Sequence, residues 1–163
     1  MEAELEAPEL LGALLGVTVP SGWPPGEYDR DALLYFKGRL QGSPEQAGWY
    51  SWYAISLTPA GKREALVGAV GYFGPPVAGS VEIGYSVIAD ARCRGFATEC
   101  VRALIDRAFG FPGVRCVIAH TRGETNVASR KVLLGCGFRR IGPGTETGQV
   151  RYQRDRPPAG PPY

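Results

Sequence analysis

The sequence predicts a mixed α/β fold: a mostly antiparallel central sheet with helices on both faces. Three observations predict it. Between residues 49 and 88 the chain reads as three β-prone runs parted by turn residues. From residue 97 to 154 the pattern alternates helix, strand, helix and then two strands. The prolines, 14 of 163 residues, cluster in the loops and in a C-terminal tail.

The elements follow in order. Leu10, Leu11, Leu14 and Leu15 predict a short amphipathic helix over residues 8–15. Residues 19–26 hold three prolines and two glycines and form a loop. Asp29 or Asp31 caps a second helix that runs to about Leu40 and carries Leu33, Leu34 and Phe36. Residues 49–55, 65–73 and 80–88 are three strands of an antiparallel meander, with turns at 58–62 and 74–76. Residues 97–109 form a helix with Val101, Leu104, Ile105 and Ala108 on one face; Glu99, Arg102 and Asp106 sit at supportive spacings on the other. Residues 116–121 read as a buried strand and 126–136 as a last helix, with Gly137 suited to a left-handed C-cap. Residues 138–141 and 149–154 close the fold as a hairpin. A single domain is expected over residues 1–154, and a Pro-rich, disordered tail over 155–163.

Composition narrows the function classes. A hydrophobic fraction of 44% is ample for one core. The net charge is +2 with both signs spread along the chain, so no clustered basic face argues for nucleic acid. No run of about 20 apolar residues is present, so no membrane-spanning helix is expected. The acidic start, Met1-Glu2-Ala3-Glu4, is unlike the basic start of a secretory signal, and a cytoplasmic location is expected. Cys93, Cys100, Cys116 and Cys136 include no CxxC pair and are expected as free thiols. A single histidine argues against a zinc site, and no metal is expected.

The chemistry concentrates between Ser86 and Glu99, where a strand passes through a short loop into a helix. Gly95 permits close backbone approach, and Ala97 is small where the helix begins. The first N–H groups of a helix lack intrahelical partners and lie at its positive end. Arg92 and Arg94 add charge and Thr98 adds a hydroxyl. Such a site suits a pyrophosphate. It is neither a Walker loop nor GxGxxG.

Arg92-Cys93-Arg94-Gly95-Phe96-Ala97 resembles the [Q/R]xxGx[G/A] signature of the GNAT superfamily of N-acetyltransferases. Asn126-Val127-Ala128-Ser129, followed by Gly137-Phe138, resembles the family's second segment, NxxS...GF. Glu82-Ile83-Gly84-Tyr85 and Ala97-Thr98-Glu99 look like the branch of ribosomal-protein N-terminal acetyltransferases (RimJ/RimL-like). The resemblance covers about residues 66–141. It implies a GNAT-type sheet whose third strand bulges and splays from the fourth, leaving a cleft for acetyl-CoA, the cosubstrate. It also implies that Val87 or Ile88 polarises the thioester carbonyl through its N–H. Arg92, Cys93, Arg94, Gly95, Phe96, Ala97 and Thr98 would hold the pyrophosphate, and Asn126 would touch the pantetheine arm. One departure stands out. The family often has a basic residue two positions before the GF glycine, where this chain has Gly135, with Arg130 and Lys131 as alternative sources of charge. Homodimers are common in the family.

The expected reaction moves an acetyl group from acetyl-CoA to a primary amine, at a protein N-terminus or on a small molecule, without an acyl-cysteine. The amine must first lose a proton. Glu82 is the first candidate base and His120 its rival, with a suitable intrinsic pKa. Ser129 is the candidate acid at the CoA sulfur, with Tyr152 as substitute. Trp23, Tyr28, Trp49, Tyr50, Trp52 and Tyr53 are candidates to line the acceptor pocket, with the Trp23-Pro24-Pro25 loop as rim. The alternative is a domain that binds acyl-CoA without turnover; steady-state CoA release with an amine panel separates the two.

Overall fold

The computed structural model describes residues 1–123 and 126–158, apart from the Glu2 side chain. A six-stranded sheet has the order β1-β2-β3-β4-β6-β5. Strands β1 (Ser51–Leu57), β2 (Arg63–Tyr72) and β3 (Ser80–Val87) form the expected antiparallel meander. Helix α4 (Phe96–Phe109) then crosses back, so that β4 (Cys116–Arg122) joins β3 in parallel. After α5 (Val127–Gly135), β5 (Arg139–Pro143) takes the sheet edge. Strand β6 (Gln149–Asp155) returns between β4 and β5, antiparallel to both.

The N-terminal region holds α1 (Glu2–Glu6), a 3-10 turn at Pro8–Leu10, α2 (Leu11–Leu15) and α3 (Arg30–Gly42). Asp29 caps α3, its Oδ1 accepting from the Ala32 N–H at 3.0 Å. Helices α4 and α5 cover one face of the sheet. There Val101, Leu104, Ile105, Ala108 and Leu133 pack on Val81, Ile83, Val117 and Ala119. On the other face, Tyr28 and Leu33 pack on Ala69 with Phe36 and Tyr53.

Helix α1 carries no apolar period, and its place is set by tertiary contacts. Glu4 is buried and accepts from Tyr53 Oη at 2.6 Å and Trp23 Nε1 at 2.8 Å. At the other end, β6 runs one residue past the expected boundary, and Arg156 donates to the Val114 and Phe111 carbonyls. Residues 159–163 of the tail lie outside the described residues. No helix among the described residues is long and apolar enough to cross a membrane.

Pairing between β3 and β4 ends at Ile83↔Ala119. Beyond it β3 stays with β2 as far as Val87, and β4 stays with β6 as far as Arg122. The expected splay is therefore present. The expected bulge is not: the β2–β3 register is unbroken from Tyr72↔Ile83 to Gly68↔Val87. Gly68 allows this, because a Cβ there would stand 2.5 Å from the Ser86 carbonyl oxygen.

Candidate active site

The loop after β3 is shaped for an anion. A 3-10 turn at Ala89–Ala91 is followed by Cys93 at φ 58° and Gly95 at φ 87°, both left-handed. Helix α4 starts at Phe96, and its first intrahelical bond of this kind runs from the Glu99 N–H to the Gly95 carbonyl. The N–H groups of Phe96, Ala97 and Thr98 therefore have no helical partner, and no side chain caps the helix. A Cβ built on Gly95 meets nothing within 4 Å, so the ground before the helix is open. The two arginines divide their tasks. Arg92 Nε donates to the Val87 carbonyl at 3.1 Å and ties the loop to β3, while the Arg94 guanidinium lies 5.1 Å from the centre of the Phe96 ring. These residues fit a pyrophosphate held by backbone amides.

The splay exposes backbone on the β4-facing edge of β3. Along that strand Ile88 donates its N–H to the Val67 carbonyl and Glu82 gives its carbonyl to Phe73, so the even-numbered residues bond β2. The odd-numbered ones, Tyr85 and Val87, aim their amides into the cleft. This corrects the expectation for Ile88, whose donor is spent, and leaves Val87.

The rival bases turn out to be partners. The parallel register sets Glu82 beside Ile118, with His120 two residues further on the same face. His120 Nδ1 lies 2.8 Å from Glu82 Oε1. An ionised carboxylate only accepts, so Nδ1 donates. The His120 side chain is 7% exposed and that of Glu82 is 33% exposed. His120 is thus enclosed, with Nε2 buried and unpartnered, whereas Glu82 is reachable at the apex of the splay.

On the opposite face of β3, Tyr85 reaches α5. Its hydroxyl lies 2.7 Å from Ser129 Oγ and 3.2 Å from the Ser129 carbonyl. Burial pushes the Tyr85 phenol up to about 12, against the opposing bond from Ser129. Asn126 caps α5, its Oδ1 accepting from the Ser129 N–H at 3.1 Å. Its side-chain oxygen is therefore committed to the helix, and only its amide N–H groups remain for a ligand. Tyr152 is buried in the core opposite Ala119 and near Tyr85, with no bond to Ser129. Gly135 is the last residue of α5, and the groove beside it is lined by Arg102, Arg139 and Arg154 rather than by Arg130 or Lys131.

A cavity of about 470 Å³ lies against the α3 side of β2 and β3 and reaches Gly84, Tyr85 and Ser86 at the splay. Of the six aromatics expected to line such a pocket, Tyr28 does. Trp49 instead packs on Tyr72 and Phe111, Trp52 lies under Arg107, and Trp23 faces Tyr28 and Tyr53. Sequence reasoning missed Tyr35, Phe36 and Phe73, which form much of the wall. Helical spacing put Phe36 among core positions, and nothing local marked the others.

Comparison with known proteins settles the family. The acetyltransferase (GNAT) domain matches residues 6–139. This chain is a member of the GNAT family. The match extends well into the N-terminal half, beyond the residues 66–141 that carry the sequence resemblance. A Bacillus subtilis (strain 168) protein named uncharacterized N-acetyltransferase YjdG is 27% identical over 125 residues, 76% of this chain and 71% of that one. The crystal structure of an acetyltransferase from Agrobacterium tumefaciens superposes with a TM-score of 0.61 at 20% identity, over 80% of this chain and 75% of that one. A GNAT-family acetyltransferase from Bacillus anthracis gives 0.56 at 19% identity, over 78% and 83%. The GNAT chain is accordingly an acetyltransferase with acetyl-CoA as cosubstrate.

Proposed function

We propose that this GNAT enzyme transfers the acetyl group directly to a primary amine, with Glu82 as the base and His120 as its positioning partner. The observation that carries this is the 2.8 Å bond between the two at the apex of the splay. When bound, acetyl-CoA supplies a thioester carbonyl as the electrophile. The N–H groups of Phe96, Ala97 and Thr98, with the turn at Gly95, hold the pyrophosphate. Arg92, Cys93 and Arg94 shape that loop, and Asn126 offers its amide N–H groups to the pantetheine arm. The Val87 N–H meets the carbonyl oxygen as negative charge develops on it. Glu82 takes the ammonium proton through the oxygen that His120 leaves unbonded. The amine nitrogen then forms the new C–N bond, the C–S bond breaks, and the departing thiolate collects a proton. Ser129 is the donor, backed by the Tyr85 hydroxyl 2.7 Å from its Oγ.

Direct attack is supported by two of the four cysteines. Burial pushes the Cys100 and Cys136 thiols up, away from the reactive thiolate. A protein N-terminus or a small-molecule amine is the acceptor; the branch-like segments Glu82-Ile83-Gly84-Tyr85 and Ala97-Thr98-Glu99 support the former.

The test is steady-state CoA release. Glu82→Gln should keep acetyl-CoA affinity and lower kcat by about 10²-fold or more. The deficit should shrink as pH rises and more free amine is present. His120→Ala should cost about tenfold, since it removes a positioning bond. The reverse order would move the base to His120, and unchanged turnover in both would remove the dyad from the reaction.

A further inference from the structure

The cavity beside the splay has a composition that selects its guest. Its floor is bare backbone: Gly71 and Gly84 are paired across β2 and β3. A Cβ on Gly71 would strike the Tyr50 carbonyl, and one on Gly84 would come within 2.9 Å of the Phe73 ring. At both positions neighbouring atoms already fill the place of a Cβ, so the floor is backbone and the Phe73 ring packs close on it. The cavity volume of about 470 Å³ falls in the range of small-molecule sites, roughly 300–1,000 Å³. Tyr35 and Phe73 line it while remaining 47% and 46% exposed. Phe36 joins them, its ring centre 5.4 Å from Tyr35 and 6.1 Å from Phe73. Large aromatic surfaces left open around a hollow mark a binding surface rather than core.

Among the described residues, the charged ones that line it are Glu27 and Asp31, and no lysine, arginine or histidine does so. Both are exposed at the rim, and no ion pair among the described residues engages either. Aromatic faces and carboxylates share one preference, a positive charge on an apolar body.

We propose that the acceptor amine is an organic cation with an apolar body: the body lies among Tyr35, Phe36 and Phe73 over Gly84, and Glu27 and Asp31 draw in the positive charge. Acidic amines are excluded by the same carboxylates. This rests on the acetyltransfer reading for the identity of the cavity as the acceptor site, and it narrows the acceptor class.

Calorimetric titration of the full chain saturated with CoA tests it without any turnover. The probes are phenethylamine, ethylamine, which lacks the body, and 3-phenylpropionate, which reverses the charge. Phenethylamine should bind at least about tenfold more tightly than either of the others. The double variant Glu27→Gln, Asp31→Asn should lose about tenfold for phenethylamine and leave CoA affinity unchanged. Phe73→Ala should narrow the gap between phenethylamine and ethylamine. Equal binding of 3-phenylpropionate or ethylamine, or an unchanged double variant, would overturn the assignment. Glu82 does not line the cavity, so an active Glu82→Gln enzyme would sink the base assignment and leave this one standing. Turnover of acidic and cationic amines at equal rates would do the opposite.

Discussion

Helices α4 and α5 both begin near the open end of the β3–β4 splay, and they begin differently. Helix α5 is closed at its start: Asn126 Oδ1 accepts from the Ser129 N–H, and Tyr85 grips Ser129 from β3. Helix α4 starts on a left-handed glycine with no side-chain cap and open space in front of it. Capping residues satisfy orphan amides and stabilise the helix by about 1 kcal/mol. Leaving α4 uncapped forgoes that gain and keeps three amides at the positive end of the helix for an outside anion. One start serves the fold, and the other is the one proposed above to serve the cosubstrate.

Substitutions at the two starts should therefore separate stability from affinity. The largest effect is expected from Gly95→Glu. A carboxylate about 4 Å from the pyrophosphate, at an effective dielectric near 20, repels it by roughly 4 kcal/mol before salt screening. That is about a thousandfold loss in CoA affinity, read by calorimetry, with circular dichroism showing a folded protein. Native affinity in that variant would break the comparison outright. Gly95→Ala comes next. Its methyl meets nothing, but a φ of 87° is strained for any side chain, at about 1–2 kcal/mol. Thermal melting should fall, and CoA affinity should drop by about tenfold if the turn relaxes.

Asn126→Ala should show the reverse balance. It should cost about 1 kcal/mol of stability in chemical denaturation and change CoA affinity by less than about tenfold. A larger loss of affinity than of stability would mean that α5 also serves the ligand through this residue. Tyr85→Phe is expected to do least at neutral pH, about 0.5–1 kcal/mol for the lost hydroxyl contact. Its signature lies at high pH. The Tyr85 pKa is raised from 10.0 to about 12 by burial, so its contribution is full below pH 10 and is lost as pH climbs through about 12. Tyr28 and Tyr72 behave alike, each pushed up to about 12 by burial. The variant should flatten part of the alkaline loss, measured by denaturation between pH 9 and 12.

How much of this was legible in the sequence differs by region. The α4 loop was legible because Gly95, Ala97 and the apolar period of the helix are all local signals. Glu82 and His120 were legible singly but read as rivals. They lie 38 residues apart, and only the parallel register of β3 on β4 stacks them. Helix α1 was missed because Glu2–Glu6 has no apolar face, and its anchor is a buried glutamate held by Trp23 and Tyr53. The cavity wall was misjudged for another reason: a strand's alternation tells which residues share a face, not which face meets a helix.

The sequence by itself determined the kinds of elements, the glycine turn into α4 and the family, because periodicity, turn chemistry and short motifs act over a few residues. Tertiary structure alone decided that β6 slips between β4 and β5 and that Ile88 spends its N–H on β2. It also decided that Glu82 and His120 share a hydrogen bond and that Gly71 and Gly84 meet on the floor of one cavity. Each depends on register and pairing between distant segments, and no local window of sequence contains that information.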